Sequence, residues 1–88
     1  MSDIAIDVYS RPNCMPCKMT KRALDDAGAT YTEHDVSADP AAAQRVRDLG
    51  YAAVPVVTVT LPDGLDHWHG YRAEKLAAAV YLEREGQL

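Results

Sequence analysis

The stretch Ile4-Ala5-Ile6-Asp7-Val8-Tyr9-Ser10-Arg11-Pro12-Asn13-Cys14-Met15-Pro16-Cys17 decides the fold class. Its first half is β-rich, with Ile4, Ile6 and Val8 alternating onto one face of a strand. Arg11-Pro12-Asn13 interrupts that run. Beyond the break, Met15, Met19, Ala23 and Ala27 recur at i,i+4 spacing, which predicts a helix with an apolar stripe, stopped by Gly28. The two cysteines therefore sit where a strand hands over to a helix.

Outward from this unit, Tyr31 to Val36 forms a second β-rich run. Asp39-Pro40 is a helix start, with Asp39 as N-cap and Pro40 at the first helical position. Ala43, Val46 and Leu49 mark that helix's apolar stripe, which ends at Gly50. Pro55 to Leu61 is a strand of β-branched residues, and Pro62-Asp63-Gly64 turns it into Leu65 to Trp68 as an antiparallel hairpin. A last helix runs from about Arg72 to Glu83, with Leu76, Ala79 and Val80 facing inward. The order β-α-β-α-β-β-α opens with a right-handed crossover between parallel strands and closes with a hairpin. An α/β fold with a four-stranded mixed sheet flanked by helices buries all these apolar faces. With no repeat, linker or low-complexity tract, residues 1–88 are expected to form a single domain.

Composition narrows the function. The chain carries 9 basic and 13 acidic side chains, a net charge of −4, which argues against nucleic acid as a partner. No apolar run approaches bilayer length, so no membrane association is expected. Met1-Ser2-Asp3-Ile4-Ala5 lacks the basic start and apolar stretch of a secretory signal, which implies a cytoplasmic setting. Arg11, Lys18, Lys21 and Arg22 gather around the cysteines, against the overall sign of the charge.

Only two cysteines are present, three positions apart, and a bridge between them closes too short a loop to stabilise much. Their placement suits chemistry instead. Free backbone N–H groups and the positive end of the macrodipole at a helix start favour a thiolate. Cysteines there have pKa values lowered from ~8.5 towards ~7 or below. Cys14, at the helix start, is expected to attack a target disulfide, and Cys17, one turn further in, to resolve the mixed disulfide. Arg11 and Lys18 would stabilise the thiolate or guide an acidic partner, although solvation of the helix start accounts for Lys18 well. A competing reading makes the pair half of a zinc site, or a metal- or cluster-binding module, with His67 and His69 on one strand face. Their tight spacing, about 50 residues from the cysteines, departs from usual zinc modules, so no metal or other cofactor is expected.

Pro55 opens a β-rich run, a position proline tolerates only at a strand start, edge or bulge. The dithiol after the first strand, Val54-Pro55 before the third, and the element order resemble the thioredoxin superfamily and its glutaredoxin-sized branch. Gly50-Tyr51, then Val54-Pro55-Val56-Val57, then Asp66-His67-Trp68-His69-Gly70-Tyr71-Arg72, resemble the NrdH-redoxins from Ile4 to about Val80. The resemblance implies a thioredoxin fold and a redox disulfide between Cys14 and Cys17. It also implies a cis Val54-Pro55 bond presenting the Val54 backbone to an extended substrate. Arg11, Met15, Pro16, Val54 and Pro55 would contact that substrate, and Trp68, Gly70 and Arg72 would shape the loop before the last helix.

By the same resemblance, the function is electron transfer from thioredoxin reductase to class Ib ribonucleotide reductase or another disulfide-containing protein. The alternative is a glutaredoxin- or mycoredoxin-type reductase of glutathione or mycothiol mixed disulfides. Some positions depart from the family pattern. Met15-Pro16 replaces the usual middle pair of CVQC, and His69 and Ala73 differ from WSGFRP. Proline before the second cysteine is the thioredoxin arrangement, and the glycine-pair and aspartate pattern that holds glutathione is not evident. Asp7 falls one position from the buried carboxylate of thioredoxins, so it is expected to be a solvated strand residue, with Val8 in the buried place.

Overall fold

A computed structural model describes residues 3–85. The elements are β1 (Ala5–Ser10), α1 (Met15–Asp26), β2 (Thr32–Asp35), α2 (Pro40–Asp48), β3 (Val56–Leu61), β4 (Gly64–His69) and α3 (Ala73–Glu85). The expected order holds, with boundaries moved by a residue or two. The sheet runs β2-β1-β3-β4. β1 and β2 are parallel, with Val8 opposite Glu33, whereas β3 is antiparallel to both β1 and β4. Among the described residues, no helix is long and apolar enough to cross a membrane.

Alternation along the strands sorts side chains onto two faces. Ile6, Val8, Val57, Val59 and Trp68 pack with Leu24 of α1 and with Leu76, Ala79 and Val80 of α3. Tyr9 and Val56 face the other way, against Ala42 and Val46 of α2. Asp39 caps α2, its carboxylate accepting the Ala41 and Ala42 N–H groups at 3.0 and 3.4 Å.

Three details differ from the sequence reading. The buried face of α1 is Cys17, Thr20 and Leu24, while Met15 and Met19 are 64% and 45% exposed. Thr20 is accepted into the core because its hydroxyl donates to the Pro16 carbonyl at 2.8 Å. In α2 the fully buried alanine is Ala42, with Ala43 half-buried. Val8 is buried as expected, but Asp7 is not simply solvated. Its carboxylate meets His34 Nε2 at 2.8 Å, because Asp7 shares the α2 side of the sheet with the histidine of the neighbouring strand.

Candidate redox-active site

The chain leaves β1 and turns through Asn13, whose φ of 60° lies in the left-handed region that asparagine tolerates better than most residues. That turn delivers Cys14 as the N-cap of α1. Cys14 is extended, with φ −116° and ψ 105°, and its Sγ accepts the Cys17 N–H at 3.3 Å. Sulfur thus takes the place usually held by a serine or aspartate oxygen, on a backbone donor that the helix leaves free. Pro16 in the first turn removes an N–H that would have had no helical partner. Cys14 and Cys17 form a disulfide, with Cα atoms 5.2 Å apart. Both are buried, Cys17 completely.

The Val54-Pro55 peptide is cis. Cys14 Sγ lies 3.9 Å from the Val54 carbonyl oxygen, so the loop before β3 borders the sulfur directly. A second loop holds this one. Gly70, at φ 87°, donates its N–H to the Pro55 carbonyl at 2.8 Å. Trp68, two residues earlier, is buried in the core, and Lys75 Nζ stands 5.3 Å from its ring centroid. Arg72 is exposed, and its carbonyl accepts the Leu76 N–H at 3.0 Å.

Met15, Pro16 and Arg11 are exposed around the disulfide. Arg11 and Val54 also line a groove of about 360 Å³ on the α2 side, together with Val46, Arg47 and Tyr51. Lys21 is drawn away from the cysteines into an ion pair with Glu33 at 2.6 Å, and Arg22 reaches Asp26 at 3.8 Å. The structure therefore brings Cys14, Cys17 and Val54 into contact and attaches Gly70 through Pro55.

His67 and His69 do share a face, and what they share it with is Tyr51. The Tyr51 hydroxyl is 2.8 Å from His67 Nδ1, and its ring stacks 6.1 Å from His69. Among the described residues, no three His, Cys, Asp or Glu side chains converge to hold a metal ion. The alternation of the two histidines in a strand was visible in the sequence. Their contact with Tyr51, 16 residues before His67, had no local signal.

A family model described as Glutaredoxin matches residues 6–60. The chain belongs to the glutaredoxin family. Within it, the similarity is to the NrdH type. The glutaredoxin-like protein NrdH of Salmonella typhimurium is 33% identical over 73 residues, covering 83% of this chain and 85% of that protein. The solved structure of Escherichia coli NrdH-redoxin, a glutaredoxin-like protein with a thioredoxin-like activity profile, superposes with a TM-score of 0.72 at 30% identity. It covers 84% of this chain and 92% of that one. The thioredoxin-like protein BC3987 gives a TM-score of 0.72 at 35% identity, over 84% and 97% of the two chains. As a glutaredoxin-family protein of the NrdH type, this chain is a thiol–disulfide oxidoreductase with a disulfide-forming pair at Cys14 and Cys17.

Proposed function

We propose that this chain, as a single domain over residues 1–88 in the cytoplasm, carries electrons from thioredoxin reductase to class Ib ribonucleotide reductase or another protein disulfide. The observation that carries the reading is the setting of Cys14 Sγ. It accepts a helix N-terminal N–H and borders the Val54 carbonyl, a backbone edge suited to an extended substrate. In the reduced protein, the Cys14 thiolate attacks one sulfur of the target disulfide. A Cys14–target S–S bond forms, and the other target sulfur leaves as a thiolate that takes up a proton. The Cys17 thiol loses its proton to solvent, and its thiolate then attacks Cys14 Sγ and expels the second target thiolate, which is protonated in turn. Two electrons reach the target, and Cys14–Cys17 ends as the disulfide. Thioredoxin reductase restores the dithiol with two electrons from NADPH, and two protons complete the thiols. Arg11, Met15 and Pro16 border the attacking sulfur, and Trp68, Gly70 and Arg72 support the loop that carries Pro55.

Arg11 and Arg47 in the groove beside Val54 favour a second reading, in which the carboxylates of glutathione or the hydroxyls of mycothiol are held there and the chain reduces their mixed disulfides. Supplying the oxidised protein with thioredoxin reductase and NADPH, or with either small thiol, separates the two. Reduction by the flavoprotein is expected, and its failure alongside reduction by the thiol selects the second reading. Cys14→Ser is expected to abolish disulfide reduction, and Cys17→Ser to accumulate a mixed disulfide detectable by mass. Accumulation in the Cys14 variant instead reverses the two roles.

A further inference from the structure

A second concavity, of about 410 Å³, lies at the β4 edge of the sheet. Its lining is Tyr51, His67, Trp68, His69, Arg72 and Lys75, and none of these is a carboxylate in a chain of net charge −4. The acidic side chains nearby are segregated. Asp66 and Glu74 line a separate cleft with Val59 and Leu82, and Asp66 reaches Lys75 Nζ at 3.9 Å. Exposed, at 3.9 Å, that pair neutralises little. Arg72 has no carboxylate partner among the described residues.

The concavity is joined to the redox site by structure. Tyr51 lines both it and the groove that contains Val54. His69 pairs with Val56, directly after Pro55, and Gly70 donates its N–H to the Pro55 carbonyl at 2.8 Å. A chain seated along Val54 with its disulfide at Cys14 thus has a neighbouring side chain next to the Tyr51 wall.

We propose that this concavity is a specificity subsite for an acidic side chain of the disulfide-bearing protein substrate, an extension that rests on the electron-carrier reading above. Arg72 and Lys75 supply permanent positive charge. His67 and His69, held by Tyr51, put ring N–H groups beside them.

The test uses the full chain and a series of peptide disulfides. One Glu is moved through the positions flanking the attacked cysteine, and each peptide has a Gln counterpart. The expected result is a position at which kcat/KM for Glu exceeds that for Gln by roughly three- to tenfold. Both peptides of a pair share one Cys14, so its ionisation cancels in the ratio. Arg72→Gln with Lys75→Gln is expected to bring the ratio near one, while Arg11→Gln keeps it. All three side chains are at least partly exposed, and an unchanged unfolding midpoint checks the fold. Equal rates for Glu and Gln at every position overturn the subsite while leaving the carrier reading intact. A preference removed by Arg11→Gln and kept in the double variant also overturns it, because the acid is then read in the other groove. If no peptide is reduced, the carrier reading and the subsite fall together.

Discussion

On one face of the sheet Ile6, Val8, Val57, Val59 and Trp68 are covered by two helices of 12 and 13 residues; on the other, Tyr9 and Val56 are covered by α2 alone, 9 residues long. The first face is almost wholly aliphatic. The second ends in packed aromatic and imidazole side chains: Tyr9 stacks on His34 with centroids 4.7 Å apart, and Tyr51 packs on His67 and His69. β2 divides in the same way, sending Glu33 to Lys21 of α1 and His34 to Asp7. Two helices bury the larger core between them and the sheet, so that side sets stability. A single short helix leaves the Val54 groove at its flank, and the Tyr51 concavity opens beyond it around the β4 edge. Folding and recognition are therefore assigned to opposite sides of one sheet, with the disulfide at the N-terminus of α1.

The strongest way to break this division is Leu24→Ala. Leu24 is fully buried in the two-helix core, and truncating it loses the transfer free energy of its removed carbons and leaves a cavity. A loss of about 2–5 kcal/mol is expected in denaturant unfolding, a large share of what a domain this size possesses. Below the unfolding transition, KM for a protein disulfide is expected to stay at its wild-type value. A large rise in KM with little loss of stability contradicts the assignment.

Val46→Ala is the matching change on the α2 side. Val46 belongs to the smaller core and also lines the groove beside Val54. Removing two carbons there costs about 1–2 kcal/mol, and the groove widens. The expected signature is a smaller drop in unfolding free energy than Leu24→Ala gives, with a rise in KM that Leu24→Ala lacks. Equal KM values in the two variants remove the distinction between the faces.

Much of this arrangement was legible in the sequence because it rests on local signals. Asp39-Pro40 starts a helix, Pro62-Asp63-Gly64 makes a hairpin, and Cys14 to Cys17 sits at a strand–helix junction wherever the chain folds. The face of Val8 followed from counting along one strand. What stayed hidden depends on partners far along the chain. Met15 and Met19 are more apolar than Cys17 and Thr20, yet the latter pair is buried, since the approach of the sheet fixes the helix's rotation and Pro16 satisfies the threonine hydroxyl. Glu83, on the inner side of α3, is 4% exposed and accepts the Thr30 N–H at 3.1 Å, across 53 residues. The Tyr51 contact with His67 needs the path of the loop after α2, which no periodicity encodes.

The smallest expected effect lies where the two-helix face meets the edge strand. Glu33 accepts hydrogen bonds from the Lys21 ammonium at 2.6 Å and from the buried Ser10 hydroxyl at 2.7 Å. The Lys21 bond first, and the Ser10 bond second, hold its carboxyl below the ordinary glutamate value of 4.5. A carboxyl lowered on folding adds stability that is fully present above the unfolded value and disappears as pH falls through the folded one. Wild-type protein is therefore expected to lose more stability between pH 6 and pH 3 than Glu33→Gln does. Because the Glu33 side chain is 43% exposed, solvent screening keeps the difference below about 1 kcal/mol. Asp35, also lowered by its bonds to Ser37, contributes the same sign of loss in both proteins and cancels in the comparison. Parallel acid curves for the two proteins would mean that Lys21 and Ser10 position Glu33 without stabilising its charge. The edge of the two-helix face would then owe its stability to packing alone.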